Sequence, residues 1–516
     1  MDGVRDISIL PKPPSVPATI AKIDRLPPEM LVAIFVHLSK QGPDPPGRKT
    51  SYFDFVQDLV SVTHVCMSWR QVAIAAPELW TEITMTNLEA VRAFLERSGA
   101  VPLKVGLRLG SGARIDQDLF EAVIPHVHRL QRLSLLKTQR LDPVGPILFT
   151  EPAPLLEQLV IYYPLGDRPV LLFNDQAPRL RELSMFSNGL WLKNQLWNLT
   201  SLRITLSHVR RIRSDLDPFF DMLRRCPALE EMFVSWGGWG VQLESPHSPT
   251  VPLHRLRKLL LHAFRVGNVK SFLHNFDLKA NGIAIHLSSV YPGPQGNSLI
   301  SDIQTIFPND NSGRPSLASS TKLELIFHRR PRTMIMHTIG PGFSTRIDLP
   351  LEDFDNGVMD FTFRDVFRSV KELWVRGSSH VDVKLGGVEH LAALEKLVLI
   401  GRGSATAQSL RQELSLGPSG ILPCPLLSTI DFHGDRSDMG GLFHILRTRS
   451  KVGGRLKKVR VPSHFAALPA DIVPYVRDVG SLDIPSSALH MYAMELPEYC
   501  FVEEHRWWNP WRSRLN

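Results

Sequence analysis

The stretch Leu26-Pro27-Pro28-Glu29-Met30-Leu31, with Ile34-Phe35, Leu38, Val65-Cys66, Trp69-Arg70 and Leu79-Trp80 behind it, decides how the chain is read. Pro27 and Pro28 suit the first turn of a helix, where a missing N–H costs nothing and φ is already set. Leu31, Ile34, Phe35 and Leu38 recur at i, i+3, i+4 and i+7, so they predict one helix with a continuous apolar stripe. Gly42, Pro43, Pro45, Pro46 and Gly47 break the chain. A second helical run is expected to carry Leu59, Val62, Cys66, Trp69 and Ala73, with Pro77 ending it. Trp80 and Ile83 then read as exposed apolar residues on a short tail. So small a module buries little by itself, so its surplus apolar surface asks for a partner.

The pattern resembles the F-box, the adaptor-binding motif of substrate receptors in SCF-type (cullin–RING) ubiquitin ligases. The family's Leu-Pro-x-Glu, Ile-Phe, Val-Cys-x-x-Trp-Arg and Leu-Trp have counterparts at Leu26, Pro27, Glu29, Ile34, Phe35, Val65, Cys66, Trp69, Arg70, Leu79 and Trp80. The connection Ser39 to Asp54 is longer than usual. By resemblance, the adaptor-binding residues are Leu26, Pro27, Ile34, Phe35, Leu38, Val65, Cys66, Trp69 and Trp80. The implied partners are the adaptor and, through it, the cullin.

Beyond Trp80 a phrase recurs: an apolar residue, two variable, an apolar, one variable, an apolar. It reads Leu130/Leu133/Leu135, Leu156/Leu159/Ile161, Leu180/Leu183/Met185, Leu199/Leu202/Ile204, Leu229/Met232/Val234 and Leu256/Leu259/Leu261. It returns at Val370/Leu373/Val375, Leu394/Leu397/Leu399, Leu427/Ile430/Phe432 and Leu456/Val459/Val461, with neighbouring units 19 to 33 residues apart on either side of the gap. Residues two apart on a strand share a face, so the last two apolar positions point to a core and the variable ones away from it. Proline opens several units, as at Pro154, Pro178, Pro227 and Pro425. Asp217 to Arg225 reads as a helix between strands.

This region resembles an irregular leucine-rich-repeat solenoid. The expected fold is therefore α/β: a small N-terminal helical F-box followed by that solenoid, with parallel strands. Residues 1–20 read as a disordered leader, 21–85 as the F-box, 86–485 as the solenoid and 486–516 as a C-terminal cap. Within the gap, Ile283–Leu287 and Leu323–Phe327 alternate like strands, and 292–320 reads as a long mobile loop, either a boundary between two halves or an insertion. Trp507, Trp508 and Trp511 are expected to fold back over the last repeats; a partner-binding peptide is the alternative.

Composition bounds the function. The chain has 516 residues, a net charge of +8, and four cysteines without a Cys-x-x-Cys pair, which points to thiols in a reducing compartment, cytoplasmic or nuclear. No apolar run approaches membrane-spanning length. Phosphate-loop, dinucleotide, zinc-protease and nucleophile-elbow motifs are missing from the sequence, so neither catalysis nor a cofactor is implied. Basic clusters occur at Arg210–Arg213, His328–Arg332 and Arg447–Arg460; aromatics are sparse around the last and largest, which argues against nucleic acid.

The expected function is therefore that of a non-catalytic substrate receptor, the solenoid holding a protein substrate. The repeat register puts Arg132, Tyr162, Phe186, Arg203, Phe233, His262, Trp374, Arg376, Asp431 and His433 on the outward, substrate-facing side. Two alternatives stay open: a repeat scaffold whose F-box-like start is a mere cap, and an F-box protein acting with the adaptor alone, without ubiquitin transfer.

Overall fold

The computed structural model describes residues 26–40, 59–84, 87–109, 113–137, 150–162, 171–187, 192–206, 217–236, 250–278, 282–291, 306–307, 315–328, 333–350, 358–363, 365–377, 382–401, 413–414, 422–434, 439–454, 456–463, 475–482 and 494–500. The expected leader and the three tryptophans after residue 506 lie outside the described residues. The chain divides into two compact units, Met1–Leu133 and Ser134–Asn516.

In the first unit, helix α1 (Pro28–Lys40) and helix α2 (Met67–Ala75) precede a 3-10 turn, Pro77–Trp80. Strand β1 (Glu82–Ile83), helix α3 (Leu88–Arg97), strand β2 (Leu103–Leu109) and helix α4 (Ala113–Val123) follow. The strands β1 and β2 pair in parallel. The second helical run is interrupted where the sequence had promised continuity. Residues 59–63 are helical, but Cys66 is extended (φ −157°, ψ 169°) and caps α2, its Sγ accepting from the Trp69 N–H at 3.4 Å. Thiols are uncommon caps, and the preference for Ser, Thr, Asp and Asn hid this one. Further along, the Arg129 guanidinium is buried and donates to Ser98 O, Ser98 Oγ and Val101 O, tying the end of α3 to the start of strand β3 (Leu130–Lys137).

The second unit is built on a continuous ladder of strands. Strands β4 (Gln158–Tyr162), β5 (Glu182–Ser187), β6 (Ser201–Leu206) and β7 (Glu231–Trp236) lie parallel in sequence order. Past the short β8 (Val251–Pro252), β9 (Lys258–His262) joins β7. After β10 (Phe276–Asp277), which pairs β8, β11 (Ile283–Ser288) joins β9.

The ladder then reverses. Strands β12 (Lys322–His328), β13 (Thr333–Gly340) and β14 (Phe343–Pro350) form an antiparallel meander. It is inserted so that β14 lies beside β11 and β12 beside β16 (Glu372–Gly377), both in parallel. From β16 the array continues in parallel through β18 (Lys396–Ile400), β19 (Thr429–His433), β20 (Leu456–Val461) and β21 (Val476–Ser481). A side pair, β15 (Val358–Thr362) with β17 (Asp382–Gly386), accompanies it.

This corrects two expectations. The sheet is mixed, not wholly parallel. The gap is also no boundary between halves, because the ladder runs unbroken through the meander. The described part of the expected mobile loop is packed as well: Ile306, Phe307 and Leu317 are buried. A segment with apolar residues at successive positions is placed on both faces, as the burial of five consecutive residues of β11 shows.

The recurring phrase is the register of this sheet. Leu159, Leu183, Leu202, Met232, Leu259 and Ile285 are mutual partners along one row. In the same way Leu323, Leu373, Leu397, Ile430 and Val459 form a row from β12 of the meander onward to β20. Every residue of the phrase, the leading one included, is buried. That leading residue closes a recurrent turn, with N–H to O=C three residues back at Leu156, Leu180, Leu229 and Leu427. The unit-opening prolines occupy the second position of those turns, the place where a preset φ of about −65° fits. Helices α5 (Asp217–Arg224), α6 (Val266–His274) and α7 (Met439–Lys451) return the chain between strands. The first two contribute Phe219, Phe220 and Phe272 to an aromatic core.

Candidate functional site

Two surfaces hold the candidate residues, one in each unit. On α1 the apolar positions Met30, Ile34, Leu38, Leu31 and Phe35 cover, at 100° per residue, an arc of about 140°. Only one edge of that arc is spent on the unit's own core: Leu31 and Phe35 are buried. Met30 and Leu38 are exposed and Ile34 is half-buried. Phe35 packs against Trp69 with ring centroids 5.0 Å apart, so α1 and α2 are joined by that pair. Val65 and Met67, at the head of α2, are 60% and 75% exposed. Of the exposed large apolar side chains among the described residues, Met30, Leu38, Val60, Val65, Met67 and Ile74 fall in this short span, against five in all the rest. Exposed apolar side chains are thus denser in this span than elsewhere among the described residues.

Phe35 and Trp80 sit differently from expectation. Trp80 is 2% exposed; its indole N–H donates to Ala73 O at 2.8 Å, its ring meets Phe94 edge-on, and Arg97 lies over it at 4.4 Å. Both residues therefore shape the surface from beneath and do not form it. Ile83, expected exposed, is buried too. Leu26 and Trp69 are half-buried, while Pro27, Leu38, Val65 and Cys66 are open to solvent.

The second surface is the outward side of the strand ladder. On β4 to β9 it is half-exposed at Tyr162, Phe186, Arg203, Phe233 and His262. Arg203 lies over the Phe233 ring at 4.6 Å, and the Tyr162 hydroxyl is 3.5 Å from Ser184 Oγ. Arg132 is exposed but belongs to the first unit. From β11 through the meander to β18 the middle of the same side is covered. Trp374, Arg376 and Asp431 are buried, which corrects their expected place on an open face; His433 stays half-exposed. Asp431 accepts from Arg460 Nε at 2.6 Å, and Trp374 donates to Glu372 Oε1 at 2.9 Å.

The covered part also holds a charged row that the sequence did not announce. His286, Arg346, His337 and Glu324 are register partners in line across β11, β14, β13 and β12. Each is buried. Glu324 accepts from His337 at 2.9 Å and lies 3.7 Å from Arg376. Asp348 takes His286 at 2.9 Å and Arg346 at 2.7 Å. Burial alone would raise the Asp348 carboxyl, but His286 and Arg346 outweigh it and hold it well below the usual range. Burial likewise lowers His286, against the opposing pull of Asp348. Buried ion pairs contribute little net stability.

The remaining chemistry is structural. Arg449, from the largest basic cluster, is buried and donates to Pro423 O and Cys424 O at 2.8 Å. The four cysteines are unbridged, and burial pushes the Cys226 and Cys424 thiols up to about 12. No group of three or more His, Cys, Asp or Glu is placed to hold a metal among the described residues, and no helix among them is long and apolar enough to cross a membrane.

Against known proteins, residues 23–86 match the family model described as F-box-like. The N-terminal unit thus contains an F-box-like domain, a class of generally non-catalytic module that binds an adaptor. No curated protein matches the chain.

Proposed function

We propose that this protein is a substrate-recognition subunit of an SCF-type ubiquitin ligase. The F-box-like domain docks onto the adaptor, and the strand array, which we read as leucine-rich-repeat-like, holds a protein substrate on its outward side. The observation that carries the reading is the crowding of exposed apolar side chains on α1, α2 and the residues leading into α2, inside the F-box-like match. Large apolar groups at the centre of a contact supply most of its binding energy. We assign docking to Pro27, Met30, Ile34, Leu38, Val65, Cys66, Met67 and Trp69, with Leu26 at the rim. Phe35 and Trp80 hold these in place.

The receptor would perform no bond chemistry. It would hold a substrate lysine near the charged conjugating enzyme and so raise its effective concentration. On the outward side, Tyr162, Phe186 and the Arg203–Phe233 pair supply the half-exposed aromatic and cationic groups suited to protein recognition. Co-expression of the full chain with an SCF adaptor and cullin tests the assignment. Recovery of both supports it; recovery of the adaptor without cullin points to action outside ubiquitin transfer, and recovery of neither sinks the docking assignment.

A further inference from the structure

The outward side of the ladder changes from half-exposed to buried at β11, and part of its cover comes from the far end of the described chain. Met494, Leu496 and Cys500 are 1%, 7% and 1% exposed and form one apolar cluster with sheet residues. Those sheet residues are Ala284 on β11, Ile339 on β13, Trp374 on β16, and Val398 and Ile400 on β18. All five are outward positions, adjacent in sequence to the inward rows. The segment therefore crosses the strands. From β11 to β18 there are five inter-strand steps, about 24 Å at 4.8 Å each. Seven residues from 494 to 500 span at most roughly 20 Å, and side chains make up the difference.

The segment is built like a bound peptide. Met494 and Leu496 alternate inward, Glu495 and Glu498 face water, Pro497 follows the second anchor, and a single 3-10 turn, Glu498–Cys500, sets the last one. It is tethered to Leu482, beyond the last strand, by residues 483–493. The sheet beneath this region is also unlike an ordinary core. The buried charged row of Glu324, His337, Arg346 and His286 lies on the same outward side, and Arg376 joins it. A surface meant only to be sealed would be apolar throughout, because burying charge is costly even when paired.

We propose that Met494–Cys500 is a tethered ligand that holds, in cis, a recognition site for an extended protein segment. That segment carries apolar residues at alternate positions, a proline after the second, and carboxylates facing water. The proposal rests on reading the outward sheet side as a recognition surface, and it does not depend on adaptor docking. A connection of eleven residues, 483–493, corresponds to an effective concentration on the order of 1 mM. A peptide with an intrinsic dissociation constant of about 10 μM therefore binds the closed chain roughly 100-fold more weakly than an opened one.

The test uses the full chain and a fluorescent peptide of residues 491–502 carrying Cys500→Ser. In the unmodified chain, alkylation of Cys500 followed by mass spectrometry should run at least about tenfold faster than that of Cys226 and Cys424, since it needs only local opening. Added peptide should accelerate it to a plateau, because the peptide in trans keeps the segment displaced. In the Met494→Asp/Leu496→Asp variant, the peptide should bind about 100-fold more tightly than to the unmodified chain, with Cys226 and Cys424 still protected. Cys500 labelling as slow as that of the two core thiols and indifferent to peptide would overturn the proposal. So would an opened, folded variant that takes no peptide. Should the variant expose all its thiols, the unmodified chain alone decides, by the peptide dependence of Cys500. Adaptor recovery is read separately, so its loss and the failure of this proposal remain distinct.

Discussion

Thr338 and Thr345 stand opposite each other where the meander enters the leucine rows, flanked by Leu323 and Ile285. Both are fully buried, and neither Oγ1 has a hydrogen-bond partner among the described residues. Replacing either by valine keeps the shape and β-branching while removing a hydroxyl buried without compensation. Mutational data put that burial cost at about 1–3 kcal/mol. Thr345→Val and Thr338→Val should therefore each stabilise the second unit by about 1 kcal/mol or more. The pair, in mutual contact and so not strictly additive, should give roughly 2–4 kcal/mol. With a urea m-value of about 4 kcal/mol/M, above the small-protein range because the unit is large, about 2 kcal/mol moves the midpoint by about 0.5 M. Urea titration followed by tryptophan fluorescence measures this, with an unchanged m-value showing that only stability moved. A lowered midpoint for either single variant would refute the inward placement of these threonines. A one-residue slip of the meander would turn them outward, where valine gives no gain.

Other outcomes follow from the same framework. Gly401 has φ +129°, and a Cβ there would stand 2.2 Å from Gly377 O, so Gly401→Ala should destabilise the second unit by about 2–4 kcal/mol in the same titration. Gly377→Ala, with open space around its Cβ, should cost about 1 kcal/mol or less. Acid should weaken the fold in two stages. His286, His262 and His328 are lowered by burial, so stability present above their unfolded value of about 6.5 is lost as pH falls through it. Asp348 and Glu372 are lowered by their cationic neighbours despite burial, so their contribution holds above about pH 4 and is lost below. A urea midpoint that stays flat between about pH 7 and 5 would contradict the first stage.

How far the sequence could be read depended on whether each signal was local. The spacing of Leu159 and Ile161, or Leu373 and Val375, carries its own register, because period two on a strand assigns faces without knowledge of neighbours. The proline that opens several units is equally local, since it serves a four-residue turn. β13 escaped notice for the opposite reason: Met334, Ile335 and Met336 are buried on successive faces, so alternation vanishes. On α1 the pattern showed an apolar arc but not which part the unit would keep. Phe35 and Leu38 look alike in sequence, yet Trp69 covers the first and leaves the second exposed. The burial of Trp374 was out of reach altogether. It depends partly on Met494 and Leu496, more than a hundred residues away, and no periodicity connects them.

The proposed division of labour between the two units turns on the apolar surface of the first, and adaptor affinity measures it directly. Val65 and Met67 touch solvent, so the Val65→Glu/Met67→Glu chain should unfold at the same urea concentration as the unmodified one. In isothermal titration with the purified adaptor, the unmodified full chain should bind. The double variant should lose at least about 2 kcal/mol, roughly 30-fold in affinity, as expected when central apolar contacts are replaced by charge. Equal affinity for the two chains would contradict the account.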